Sequence, residues 1–377
     1  MKYFDSYILY IVFFLISIFW SWQYDVKKEK IISTKTKILY CVLITLPIVI
    51  LQGFRYDVGT DYFSYFSLYK GFNEGNKVYL SWYRTEPLFI FLCRISCFVL
   101  CGNSIGLFII DAILINVILF FAFDYYKDEI NLPLMYFFYY MLCFPYFLNA
   151  ERQGLAVIIV WFATKYVHEK KPIKFFCCIL IATLFHNTAI IGISFYLVYF
   201  FRGKYGKYLK SVFVFLVVTL PFLINFYIKE GLDFVSRNIQ IFKKYAKFLR
   251  KDMYSTIDTT NVNFLFMALM VIVLLIFIQI LKESKMGIYG ILFLCCAQLL
   301  SYLLNSFIDW GFRISFYFEL GIMYSYSFVY DKLKNRINKA AISVFIIFTM
   351  LFYFTYKFYI QGNCEIFPYQ FYKSKLF

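Results

Sequence analysis

The chain has 377 residues, of which 62% are hydrophobic, 24% are aromatic and only 16% are charged. This composition excludes an ordinary soluble protein and predicts an all-α, polytopic helical membrane protein with a single membrane domain over residues 1–377. The net charge of +16 comes mostly from lysines and arginines in short loops, so it indicates membrane topology and not a nucleic-acid partner.

Apolar segments alternate with basic loops along the chain. Residues 1–20 lack a basic leader and a small-residue cleavage site, so we predict a retained first helix. By the positive-inside rule four basic clusters are cytoplasmic: Lys27–Lys37, Lys165–Lys174, Arg202–Lys210 and Lys332–Lys339. Each complete span takes the chain to the opposite side of the membrane. This parity of the spans places the loop at about 52–86, which follows the span 38–51, on the outer side.

Two stretches are too short for the crossings that parity would otherwise require. Residues 87–101 begin at Glu86-Pro87 and carry Arg94, so we predict a partial or juxtamembrane helix there. Residues 172–200 connect two basic clusters and cannot hold two full spans. They predict a hairpin of half-helices with its tip near His186-Asn187, while a single tilted span is the alternative.

The remaining apolar segments predict complete spans, for a total of roughly 10–12 membrane segments. These spans are 105–123, 132–148, 211–228, 262–281, 286–305, 311–330 and 340–360. A second outer loop is predicted at about 229–261, with an amphipathic helix that has a cationic face. That helix either anchors to anionic lipid headgroups or receives a diphosphate-linked lipid.

The loop Gly53–Tyr62 is unusually polar for a connector between membrane helices. It contains Arg55, Asp57 and Asp61, which predict a pocket for a charged or hydroxyl-rich ligand. The alternative is a capped turn in which Asp57 or Thr60-Asp61 begins a surface helix.

Other polar residues fall on the same predicted side of the membrane. Glu86, the pair Arg152-Gln153, His186 and Arg313 all lie at predicted outer span ends, where charged groups are functional candidates. Arginine forks suit phosphate oxygens. The alternatives are structural: Arg152 pairs with its neighbour Glu151 or snorkels, His186 joins an interhelical hydrogen bond, and Arg313 pairs with another acid.

Four segments carry a resemblance to a known family. They are Arg55-Tyr-Asp-Val-Gly-Thr-Asp-Tyr62 with Tyr65, Glu86-Pro-Leu-Phe89, Glu151-Arg-Gln-Gly-Leu-Ala156 and Leu184-Phe-His-Asn-Thr-Ala189. Their order and spacing resemble the EpsG-like family, which is grouped with the Wzy-type polymerases of O-antigen, capsule and exopolysaccharide. The match is looser around Asp309-Trp-Gly-Phe-Arg313.

The resemblance implies a glycosyltransferase with a fold similar to the GT-C type. Such polymerases take oligosaccharide repeat units on undecaprenyl diphosphate at the outer leaflet of the bacterial plasma membrane and join them into a surface polysaccharide. Further implied partners are membrane lipid, a chain-length regulator and the flippase of the same pathway.

Roles for individual residues follow as expectations. We expect Asp61, or else Glu86, to act as the catalytic base, and His186 to act as a hydrogen-bond donor or acid. Arg55, Asp57, Arg152, Gln153 and Arg313 are expected to bind the substrate and its diphosphate. No metal or cofactor is expected, because arginines would carry the charge and the two histidines show no zinc-type spacing with the ten scattered cysteines.

Three rival functions remain open at this point. A flippase for lipid-linked sugars would also be polytopic and basic, but it would carry charges along a path through both leaflets. An acyltransferase would need a histidine with a partnering acid near the inner side. A non-catalytic scaffold of the assembly complex is the third rival, and another lipid-donor glycosyltransferase remains a close alternative to the polymerase.

Overall fold

The computed structural model describes residues 3–28, 32–74, 86–103, 105–196, 262–304 and 311–372. Within these ranges regular structure is helical, and the only extended pairing is an isolated bridge between Arg55 and Phe371. The prediction of an all-α polytopic membrane protein is therefore confirmed. The predicted span 211–228 and the predicted outer loop 229–261 lie outside the described residues.

Fifteen α-helices are described, and four of them are long and apolar enough to cross a membrane: α1, α2, α5 and α15 with its continuation. The α-helices are α1 Tyr3–Asp25, α2 Thr34–Gly53, α3 Tyr62–Asn73, α4 Pro87–Val99, α5 Gly106–Asp124, α6 Leu132–Leu142, α7 Phe144–Asn149, α8 Glu151–His168, α9 Pro172–Phe185, α10 Val262–Ile276, α11 Ile278–Leu281, α12 Gly287–Leu304, α13 Ser315–Phe318, α14 Leu320–Lys332 and α15 Arg336–Phe354. Short 3₁₀ segments lie at Asn187–Phe195, Gly311–Ile314 and Asn363–Glu365, and α15 continues as a π-helix over Thr355–Ile360.

Local sequence explains several helix ends. The side chains of Ser33 and Asn131 accept hydrogen bonds from backbone N–H groups in the first turns of α2 and α6, which satisfies donors that the helix leaves unpaired. Pro87 stands at the start of α4, where its missing N–H costs nothing. Pro145 cannot continue the hydrogen-bond ladder of α6, and the predicted span 132–148 is accordingly divided into α6 and α7.

The described residues divide between two compact units, one within 1–192 and 327–377 and the other within 193–326. In the first unit α2 packs on α1 and α5, and α8 packs on α5 and α9. Apolar side chains such as Leu15 on α1 and Phe348 on α15 remain 58% and 69% exposed, as expected for surfaces that face hydrocarbon. A single membrane domain remains a prediction.

The short segments fold as their lengths predicted. The helix α4 has 13 residues, which corresponds to about 20 Å and is shorter than the hydrocarbon core. After α9 the chain turns back at His186. The evidence is the proximity of Gly192 to Ile179 on α9: a Cβ on Gly192 would lie 2.9 Å from the Ile179 side chain. This reversal agrees with the predicted hairpin.

The two ends of the first unit differ in chemistry. At one end Lys28 contacts Asp331 at 2.5 Å, and Lys37 contacts Asp124. These contacts join the segment of the basic cluster Lys27–Lys37 to the ends of α5 and α14. At the other end lie the loop 54–61 and the C-terminal segment.

The C-terminal segment holds the loop 54–61 by backbone hydrogen bonds. Tyr56 N donates to Gln370 O at 2.8 Å, and Tyr372 N donates to Phe54 O at 2.8 Å. Further along, the N–H groups of residues 59 and 60 donate to the carbonyls of residues 365 and 364, at 3.1 and 3.3 Å. These four hydrogen bonds therefore hold the backbone of the loop between α2 and α3.

Candidate functional site

The loop 54–61 folds around the side chain of Arg55, which is completely buried. Its Nε donates to Val58 O at 3.1 Å, one terminal nitrogen donates to Gln52 O at 2.5 Å, and the other donates to Leu148 O at 3.0 Å. The guanidinium also lies 4.7 Å from the ring centroid of Phe108. These contacts tie the loop to α2, α5 and the end of α7.

Arg55 also forms an ion pair with Glu151, the first residue of α8. Both side chains have no exposed surface. Because the donors of Arg55 are directed to groups inside the protein, this arginine has the surroundings of a positioning residue and not those expected for a diphosphate ligand. This burial favours a positioning role for Arg55, and its expected contact with the diphosphate stays a prediction.

Arg152 follows Glu151 in the chain, and its surroundings differ from those of Arg55. One of its terminal nitrogens donates to Glu86 Oε2 at 2.6 Å, and the Arg152 side chain remains 24% exposed. The other Glu86 oxygen accepts from Asn187 Nδ2 at 3.2 Å. The starts of α4 and α8 and the turn after α9 thus meet at one carboxylate.

Two aromatic residues flank Arg152. The ring centroids of Tyr65 and Phe89 lie 6.0 and 5.7 Å from its guanidinium carbon. Burial raises the pKa of Tyr65 to about 12, although the neighbouring Arg152 opposes the shift. The phenol therefore stays protonated at neutral pH and can donate a hydrogen bond.

Arg152 retains capacity to bind a ligand. Its Nε is buried and has no hydrogen-bond partner among the described residues. Buried donors normally find a partner, so this position favours a water molecule or a ligand oxygen.

The acidic residues of the loop differ in exposure. Asp61 is half-buried at the N-cap position of α3, but its side chain makes no capping hydrogen bond. It lies within electrostatic range of Glu151 and Tyr65. Asp57 is exposed and adopts a left-handed backbone with φ of 51°, which Asp tolerates better than most residues.

Gly59 allows the loop to approach the turn before α8. Its φ is +99°, and a Cβ there would lie 2.7 Å from Asn149 Oδ1 and 3.0 Å from Leu148 O. We expect Gly59→Ala to destabilise the protein by about 1–3 kcal/mol, because both the backbone strain and the clash oppose the native conformation. A lower thermal midpoint of the purified protein would confirm this, with Gly362→Ala, where a Cβ meets no atom within 4 Å, as the strained but unclashed control. Equal midpoints for the two variants would contradict the role of close approach.

The other predicted residues have the following positions. His186 follows the last residue of α9, and its Nδ1 lies 2.7 Å from Thr188 Oγ1. It is adjacent to Asn187, which binds Glu86. Gln153 is buried in the first turn of α8. Arg313 belongs to the 3₁₀ helix Gly311–Ile314 of the second unit, and its role stays a prediction.

Sequence reasoning missed several polar residues in this region. Asp111 and Asn116 are buried on α5, and Asn116 donates to Gln52 Oε1 at 3.1 Å. The sequence signal that could have identified Asp111 is an acidic residue inside a strongly apolar segment. Among the described residues, no group of three or more His, Cys, Asp and Glu side chains is arranged to hold a metal ion.

The sequence profile of the EpsG family matches residues 38–371. The chain belongs to the EpsG family. The match covers all four segments that meet at the Arg55 and Arg152 contacts, and EpsG membership assigns the protein a general role in polysaccharide biosynthesis at a membrane. No curated protein and no solved structure matches the chain significantly.

Proposed function

We propose that this EpsG-family protein is a glycosyltransferase that polymerises oligosaccharide repeat units carried on undecaprenyl diphosphate, at the outer face of the bacterial plasma membrane. The observation that supports this most directly is the contact of Arg152 with Glu86 and of Glu86 with Asn187. Three polar groups from separate segments of the chain meet there, and the Nε of the arginine has no hydrogen-bond partner among the described residues. A diphosphate leaving group needs such donors.

The proposed reaction transfers a sugar chain between two lipid-linked molecules. The acceptor hydroxyl attacks the anomeric carbon of the donor chain, the bond from that carbon to the phosphate oxygen breaks, and the electron pair leaves with the diphosphate. Arg152 would stabilise the developing negative charge, and Tyr65 and His186 would donate hydrogen bonds nearby.

A base must take the proton of the acceptor hydroxyl. The carboxylate of Glu86 already accepts hydrogen bonds from Arg152 and Asn187, so it is placed to orient Arg152. Asp61 is half-buried at the N-terminal end of α3, next to the Arg55 loop, and lies within electrostatic range of Glu151 and Tyr65. We therefore propose Asp61 as the base and Glu86 as the residue that orients Arg152, with Asp57 and Gln153 as candidate sugar contacts.

Polar groups of the first unit favour transfer over transport. Arg55, Arg152, Glu86 and Glu151 gather at one end of the helices, whereas the other end carries loop ion pairs such as Lys28–Asp331. A flippase would need charges along the whole path.

The test is deletion of the gene and complementation by wild type or Asp61→Asn, with lipid-linked and surface glycans separated by size. We expect the deletion and Asp61→Asn to leave single repeat units, with long chains reduced by about 100-fold or more. Glu74→Gln is the matched control, since Glu74 is an exposed acid that follows α3 and pairs only loosely with Lys70 at 3.6 Å. Long chains at wild-type abundance from Asp61→Asn would exclude Asp61 as the base, and loss of even single units at the surface would indicate export.

A further inference from the structure

Asp111 is a buried acid that the proposed reaction does not use. It lies in the second turn of α5 and has no exposed surface. Neither of its carboxyl oxygens has a hydrogen-bond partner among the described residues. A buried polar group without a partner is costly, so a proton, a water or an ion is needed beside it.

The helices that pack against α5 bring polar groups to this position. Asp111 interacts electrostatically with Glu151 at the start of α8 and with Arg55 in the loop after α2. Cys93 on α4 and Tyr139 on α6 also lie within electrostatic range of Asp111.

The carboxylate of Glu151 lacks a hydrogen-bond donor, which a protonated Asp111 would supply. Glu151 directs Oε1 to Arg55, but its Oε2 is buried and has no partner among the described residues. An ionised carboxylate can only accept hydrogen bonds, whereas a protonated one can donate. A proton on Asp111 would therefore give Glu151 Oε2 its missing donor.

The charges around Asp111 also favour its protonated form. Arg55 and Glu151 compensate each other, and Arg152 is offset by Glu86. An ionised Asp111 would add an uncompensated negative charge at a site with no exposed surface, which is strongly unfavourable. One bound proton removes that charge.

We propose that Asp111 is held protonated in the folded protein and donates a hydrogen bond to Glu151 Oε2, directly or through one water. The proton comes from solvent, and Glu151 keeps its negative charge for Arg55. Asp111 is thus a positioning residue: it fixes Glu151, and through Glu151 it fixes Arg55 and the loop 54–61.

The test compares purified wild type, Asp111→Asn and Asp111→Ala in detergent. We expect wild type to show the infrared C=O stretch of a buried, protonated carboxylic acid, and both variants to lack it. We expect Asp111→Asn to keep the thermal midpoint of wild type, because the amide is neutral and still donates, and to keep chain-extension activity within about threefold. Asp111→Ala, which leaves Glu151 Oε2 without a donor, is expected to lower both.

Several results would overturn the proposal. One is an identical infrared band in wild type and Asp111→Asn. Another is a loss of thermal midpoint and chain-extension activity in Asp111→Asn that equals the loss in Asp111→Ala. A wild-type thermal midpoint for Asp111→Ala would remove the positioning role. A midpoint that rises with sodium or potassium in wild type and not in Asp111→Asn would assign the site to a cation. The spectrum and midpoint do not depend on polymerisation, so this inference and the proposed function fail separately.

Discussion

Replacing Arg152 with alanine is expected to reduce chain extension by about 100-fold or more, the typical cost of losing a donor that stabilises a developing oxyanion. The protein should remain folded, because Arg152 is partly exposed and its deletion leaves Glu86 hydrogen-bonded to Asn187. The measurement is the size distribution of lipid-linked glycans in a deletion strain that expresses the variant at the wild-type level.

The controls for this variant separate charge from geometry. Arg152→Lys keeps the charge but loses the planar fork, so we expect it to recover only part of the activity. Arg94→Ala removes an exposed arginine of the neighbouring helix α4 and should leave long chains intact. Normal chain length from well-expressed Arg152→Ala would exclude Arg152 from the site.

Replacing Glu151 with alanine is expected to destabilise the fold by about 3–5 kcal/mol, because it leaves Arg55 as a buried charge without its ionic partner. Protein yield and the thermal midpoint should both fall. Glu86→Ala provides a matched contrast, since the partner of Glu86 is partly exposed and can be hydrated. We expect it to lose much less stability.

A double replacement removes both charges of the pair, together with the hydrogen bonds of Arg55 to three backbone carbonyls. Arg55→Met with Glu151→Leu removes both charges, so it should be more stable than Glu151→Ala alone. If Glu151→Ala has the thermal midpoint of wild type, the buried ion pair does not hold the loop, and the role given to Arg55 would be wrong.

Much of the site could be predicted from the sequence, because charge in short loops reports topology. The basic clusters fixed the parity of the spans, and parity brought the segments of Arg55, Glu86, Arg152 and His186 to one side. Length alone indicated that α4 is a short helix and that the chain turns back at His186. The contacts between these segments were not predictable, since no local pattern encodes which acid each arginine meets.

Two features lay beyond local patterns for physical reasons. The C-terminal segment pairs with the loop 54–61 through backbone groups, which carry no side-chain signature across about 300 residues of sequence. The sequence predicts a substrate contact for Arg55, because arginine forks suit phosphate oxygens and a sequence does not distinguish a buried arginine from an exposed one. Its complete burial depends on the packing of α2, α5 and α7 around it.

Reconstitution would show whether this chain alone joins lipid-linked repeat units. The purified protein is placed in liposomes with one species of undecaprenyl-diphosphate-linked oligosaccharide, and the products are separated by size. We expect products of two and more repeat units with release of undecaprenyl diphosphate, and none with Arg152→Ala. Liposomes in which wild type leaves the single units unchanged, with the lipid-linked substrate shown to be accessible, would contradict the proposed function.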